Sequence, residues 1–389
     1  MKKFLIIFCL CMYFTADVNA NENKNADTEF IIGQVFQDLS VEQINQFVVE
    51  ANKELEEDIP LLNLTTIQDL IRKGLHFDFQ EVLQIVLKKI FSEMFLNMHL
   101  IGNLLFLAVL SAMLQNLQNA FEKSNIAVLT YSVCFSFLSV IALNAFYNVL
   151  KIASNAIDHM VSFMEALLPL LITLLAGMGS LTTAALFSPL MLLLVSVVSL
   201  IVKNLVLPFL LISAALTCVN YLTEKYQLNH LTNIFRQSGM IVLGFVMMIF
   251  IGVITIQGVA GSIADGVALR TAKFATATFI PVVGKVFADT VELVMGASLL
   301  LKNSIGIFGV IAIGTICLLP MIKILSLAFI MKMTGALIEP IGDYKLAKCL
   351  TSMGDHLLLV VGALLTVILM FFLTITMIVG AGSVALMLR

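Results

Sequence analysis

The 389 residues are 60% hydrophobic and 12% charged, with a mean hydropathy of +1.03 and a formal net charge of −3; soluble domains carry about 25% charged residues, so an ordinary water-soluble globular protein is excluded. The charge is unevenly divided, because residues 21–93 hold 14 acidic and 6 basic residues, net −8, while residues 94–389 hold 10 acidic and 14 basic, net +4. No Lys/Arg cluster of the kind that tracks a phosphate backbone occurs, which argues against nucleic-acid binding, and six cysteines lying mostly in apolar runs predict no disulfide framework.

At the start of the chain Lys2 and Lys3, the apolar run 4–14 and Val18-Asn19-Ala20 form the basic, apolar and small-residue parts of a secretory signal, with cleavage expected after Ala20. The apolar run is shorter than the roughly 20 residues a bilayer core requires. The mature N-terminus is therefore expected outside the cytoplasm. Residues 21–99 then read as a small, acidic, helical extracytoplasmic region. Ser40-x-x-Gln43 and Thr65-x-x-Gln68 are capping boxes, and Val41, Ile44, Val48, Ala51 and Leu55 share one arc of a helix. That arc packs either within a small bundle or on a partner. A third helix is predicted over 79–96, and its Lys88, Lys89 and Glu93 place it along the interface before the first span.

Residues 100–389 read as a multi-pass membrane domain of about eight apolar runs: 100–115, 126–150, 160–178, 184–202, 205–222, 239–258, 304–338 and 356–380. Only helices or a closed barrel satisfy the backbone in lipid, and runs this long without period-two alternation exclude a barrel. The predicted fold is all-α, a polytopic helical membrane protein. Around Pro320 the run reads as one kinked helix or two short ones. The 223–238 loop with Lys225 and Arg236, and the 339–355 loop with Lys345 and Lys348, are expected in the cytoplasm, in accord with the positive-inside bias. The same count puts 259–303 outside, which opposes that bias.

The least apolar stretch of the membrane region is 257–303, where Pro281 separates two helical pieces. Arg270 and Lys273 lie in the first. In the second, Lys285, Asp289 and Glu292 fall at i, i+4 and i+7 on one face. Such an amphipathic piece serves as a pore lining, a re-entrant element or a partner surface, or lies flat among headgroups. Ionisable residues also occur inside or beside apolar runs: Glu165, Lys203, Lys323 and Lys332. Charges at membrane depth are costly and often functional. Glu165 stands out, since Pro169 has no N–H to donate to its carbonyl, whereas lysines can snorkel to an interface. Asp158-His159 and Asp355-His356 each read as helix starts with Asp as the cap. The five histidines are scattered, and neither H-E-x-x-H nor G-x-S-x-G occurs. No cofactor, metal or catalytic residue is therefore nominated.

Over essentially its whole length the chain resembles the stage III sporulation protein AE family. The resemblance is carried by DGVALRTAKF at 265–274, FIPVVGKVFADT at 279–290, ASLLLKNSIGIFGV at 297–310 and LSLAFIMKM at 325–333. It implies a non-enzymatic role in endospore formation, in the mother-cell membrane that surrounds the forespore. It further implies a transenvelope, secretion-like channel complex with other stage III A sporulation proteins and a forespore-side membrane protein, needed for late forespore gene expression. Glu165, Arg270, Lys273, Lys285, Asp289, Glu292 and Lys323 are then candidate pore or partner-contact residues. A stand-alone permease with a mid-membrane site near Glu165, and an intramembrane enzyme, are the competing expectations.

Overall fold

The computed structural model describes residues 79–120, 125–222, 228–279, 284–341 and 344–387. The signal, its cleavage after Ala20 and both capping boxes lie outside them. The described residues form helices and no strand: α1 (Phe79–Leu96), α2 (Met98–Ala120), α3 (Asn125–Gly177), α4 (Leu181–Ile201), a π-helical turn (Val202–Val206), α5 (Leu207–Leu222), α6 (Asn229–Phe279), α7 (Gly284–Ile338), a 3-10 turn (Glu339–Ile341) and α8 (Tyr344–Met387). The fold class is the all-α one expected, and α1 has the bounds read from the sequence.

The apolar runs are joined into fewer, longer helices. Runs 126–150 and 160–178 lie on α3, whose 53 residues give a contour of about 80 Å at 1.5 Å per residue. Nothing between 150 and 160 interrupts it, because the intervening Lys151, Asn155 and Asp158 share one face and neither Gly nor Pro is present. Runs 184–202 and 205–222 join through the π turn. There the N–H of Leu207 reaches back five residues to the carbonyl of Val202. Pro208 follows immediately, and a proline ring crowds the carbonyl four residues earlier; the widened turn absorbs that clash without a break. Pro320 lies inside the continuous α7. Five segments are long and apolar enough to cross a membrane, Leu129–Gly177, Leu181–Leu222, Asn229–Asp265, Ser298–Ile338 and Tyr344–Ala381, or six if α1 and α2, bent by 54°, count as one broken span. The chain is thus a multi-pass helical membrane protein. Asp158-His159 and Asp355-His356 are not helix starts: each pair lies well within a long helix.

Around α8 the others assemble. Of its most apolar stretch 72% is buried, against 28% for α6 at the periphery, as expected when a helix apolar on all sides takes the centre. In lipid, helix association rests on close packing, and α7 meets α8 where side chains are absent. A Cβ on Gly335 would stand 2.9 Å from the Ala347 carbonyl oxygen, and one on Gly354 3.0 Å from that of Ala328.

Antiparallel contacts put one end of the bundle at the α3–α4 turn. Gly177 faces Ser298, Gly261 faces Thr183, and Asp265 bonds the start of α4. The turn closes tightly because Gly179 adopts φ 83, the left-handed position of a Schellman motif in which Ser180 N–H bonds Leu175 O and Gly179 N–H bonds Ala176 O. Toward the opposite end Ser213 meets Thr232 and His356, and Lys332 pairs with Asp355. Between these ends the stretches 159–177, 181–202, 239–264, 299–322 and 357–380 run side by side, and Glu165 and the buried Lys302 are the only Asp, Glu, Lys or Arg among them. From residue 158 to residue 177 is about 30 Å of helix, the thickness of a bilayer's hydrocarbon core.

Candidate functional site

Within that slab α3 presents an unusual outer face. From residue 151 to residue 177 its exposed positions are Lys151, Asn155, Asp158, Ser162, Glu165, Pro169, Thr173 and Gly177, and the ring of Pro169 is the one apolar side chain exposed among them. Their spacing of three or four residues places them on one line along the helix. The same helix buries Met160, Phe163, Met164, Leu167, Leu171 and Leu175 on its other side. At the same depth α6 does the reverse, exposing Ile241, Phe245, Met248, Ile249 and Ile256. The α6 face is suited to lipid, whereas the α3 line is not, although α4 beside it exposes Leu193, Val197 and Leu200.

The polar line is extended by α4 and the π turn. Lys203 Nζ bonds the two Asp158 carboxylate oxygens at 2.5 and 2.6 Å, a charge-assisted contact at the slab's edge. One heptad further in, Ser196 Oγ lies 3.4 Å from Glu165 Oε1 and 3.0 Å from Leu192 O. A hydroxyl has one proton, so the nearer carbonyl competes for it and Glu165 receives only a weak bond. A charged side chain at the centre of a membrane helix costs about 3 kcal/mol even on insertion-based scales. Hydrocarbon does not solvate a carboxylate, and among the described residues only the shared Ser196 hydroxyl reaches this one.

At the end nearest the α3–α4 turn, Asp265 is 1% exposed. Its Oδ1 accepts from Thr182 N–H at 3.0 Å and Thr183 N–H at 3.3 Å, and Oδ2 from Thr183 N–H at 3.3 Å. Ser180, the N-cap residue of α4, provides no side-chain cap; a carboxylate 83 positions away satisfies the orphan donors instead. Toward this end Lys302 Nζ, Asn303 Oδ1 and Gln257 Oε1 are buried with no hydrogen-bond partner among the described residues. At the other end Ser213 Oγ lies 2.8 Å from His356 Nε2, whose Nδ1 lies 2.8 Å from Ser352 O.

Glu165 is therefore on the outer polar line, and Lys323 is exposed on α7 just past the slab. Lys203 and Lys332 hold ion pairs with Asp158 and Asp355. Segment 257–303 consists of the end of α6 and the start of α7, with Pro281 in the undescribed residues 280–283. Arg270 and Lys273 fall on α6 and Lys285, Asp289 and Glu292 on α7, while their side chains lie outside the described set. Sequence reasoning isolated Glu165 but missed Asn155, Ser162 and Thr173, although their spacing from Glu165 already signals one face. Asp265 gave no such signal.

Comparison with known proteins gives this bundle a context. A family profile described as Stage III sporulation protein AE matches residues 63–382, and the Stage III sporulation protein AE of Bacillus subtilis (strain 168) is 35% identical with 100% of each chain covered. The chain belongs to the stage III sporulation protein AE family. Its role is accordingly in sporulation, within a family not known for enzymatic activity, and the expectation drawn from 265–274, 279–290, 297–310 and 325–333 holds. No solved structure matches this member of the family.

Proposed function

We propose that the chain is a membrane subunit of a sporulation-specific, secretion-like channel between mother cell and forespore, residing in the mother-cell membrane around the forespore. It assembles there with other stage III A sporulation proteins and, through the complex, with a forespore-side membrane protein, and it supports late forespore gene expression. The observation that carries this reading is a polar face at membrane depth in a chain of this family, because such a face requires protein or water against it. The amphipathic pieces at 257–303, with Arg270, Lys273, Lys285, Asp289 and Glu292, are the surface proposed for sister proteins. The position of Glu165 on the outside of the bundle, instead of between its helices, counts against a stand-alone permease site.

Crosslinking and co-purification from sporulating cells test the proposal. The full chain is expected to recover other stage III A proteins, and Arg270→Glu or Lys273→Glu to reduce that recovery while the chain remains in the membrane. Recovery of the chain alone, together with solute transport by the purified protein in vesicles that Glu165→Ala abolishes, would favour the permease instead.

A further inference from the structure

We infer that Cys218 of α5 and Cys349 and Met353 of α8 form a binding site for one soft monovalent metal ion of the copper(I) class, an all-sulfur site that joins the two helices. The inference stands apart from the channel reading and does not rest on it.

The three sulfurs converge although they come from helices far apart in the chain. The Cys349 thiol donates to Cys218 Sγ at 3.5 Å, across 131 positions of sequence, and the Cys218 thiol donates to Met353 Sδ at 3.7 Å. Cys349 and Met353 stand four residues apart on α8, neighbours on one face of the helix. All three side chains are buried, and both cysteines are free thiols. A zinc–thiolate bond measures about 2.3 Å, and three sulfurs at that distance in a plane around one ion stand about 4 Å apart. Only a small spreading of the sulfurs is then needed. The ion takes the place of the two thiol protons that lie between them.

The donor set selects the ion. Thiolate and thioether sulfur are soft ligands that favour copper(I). A structural zinc ion asks for four tetrahedral ligands, and among the described residues no three His, Cys, Asp or Glu side chains converge to begin such a set. His356 follows Met353 by three residues, yet both its ring nitrogens are engaged, Nε2 lying 2.8 Å from Ser213 Oγ and Nδ1 2.8 Å from Ser352 O. The same contacts hold the site still. Thr217, next to Cys218, donates to Ser213 O, and Gly354, next to Met353, lies against the Ala328 carbonyl, so the donors sit on helices fixed by their neighbours. When the ion binds, the two thiols release their protons to water, two metal–thiolate bonds and one thioether bond form, and the copper stays monovalent. No oxidant or reductant is consumed. The occupied site carries one net negative charge, and the exposed Lys348 adjoins Cys349 in the chain.

The test offers copper(I) to the full-length chain, purified reduced and without oxygen, in competition with a chromogenic copper(I) chelator, and counts the copper the chain keeps. One ion per chain is expected, with a thiolate-to-copper charge-transfer band and a shell of three sulfurs by X-ray absorption. Binding is expected to strengthen as pH rises, because protons are displaced, and to raise the unfolding midpoint. Zinc(II) offered against its own chelator is expected not to be kept. Cys218→Ser and Cys349→Ser should weaken copper binding by about a hundredfold or more, the upper end of what loss of even a supporting residue costs a metal site, and Met353→Leu by about tenfold. Cys317→Ala, which removes a buried thiol of α7, should leave binding unchanged. No copper kept, a shell containing nitrogen or oxygen, or binding that both serine variants retain overturns the inference. So does closure of Cys218 and Cys349 into a disulfide in a chain that holds no copper when reduced. The shell and the pH dependence are read on the unaltered chain, so they decide the matter even where a variant fails to fold. Sister-protein recovery from sporulating cells, measured separately, bears on the channel reading and not on this site.

Discussion

Asp265 belongs both to the stretch that carries the family resemblance and to the start of α4, where its carboxylate takes the Thr182 and Thr183 N–H groups out of an otherwise unsatisfied state. Removing one partner from a buried bond costs the desolvation of the group left behind, about 1–3 kcal/mol. Asp265→Ala is expected to lower stability by about that amount, and Asp265→Asn by less because an amide oxygen still accepts while the favourable charge at a helix N-terminus is lost. Thermal unfolding of the detergent-solubilised chain checks both; equal stability of all three chains would show that the cap does not matter. At this scale the sequence was only partly legible. Glu165 announced itself as a charge within an apolar run, while the bond from Thr183 to Asp265 joins residues 82 positions apart, and no local pattern encodes it.

Among the elements, the decisive contact is the approach of α7 to α8 at Gly335 and Gly354, where backbone oxygens occupy the space a methyl group would need. Overpacking of this kind costs about 1–3 kcal/mol. Gly335→Ala and Gly354→Ala should therefore destabilise the chain, while Gly362→Ala, with nothing within 4 Å of its added carbon, should be neutral or slightly stabilising, as alanine is the better helix former. Unfolding midpoints of the three variants decide this, and a drop for Gly362→Ala as large as the others would contradict it. The helix α1 was readable because its polar and apolar residues keep a helical period between clear ends. The lengths of α3 and α4–α5 were not. A window average treats Lys151, Asn155 and Asp158 as punctuation, although on a helix they share a face and leave the other face free to pack. The π turn at 202–206 is likewise invisible to composition, since Pro208 ordinarily marks a break and here only widens a turn.

For the molecule as a whole, membrane class and all-helical architecture followed from composition, but the crossing pattern did not, because it depends on which apolar runs share one helix. Helices near 80 Å in contour exceed a 30 Å core, so part of the bundle stands beyond the lipid. The alignment of stretches that hold only Glu165 and Lys302 as charged residues selects the part that lies within it. That alignment gives the bundle two unlike sides at one depth, an apolar α6 and a polar α3, and the channel reading depends on the difference. Nitroxides at Phe245 and Met248 on α6 and at Ser162 and Thr173 on α3, in the full chain in liposomes, measure it directly through relaxation by oxygen, which concentrates in lipid, and by a water-soluble nickel complex. The account predicts oxygen-dominated relaxation on α6 and nickel-dominated relaxation on α3. Oxygen-dominated relaxation at all four positions would contradict it.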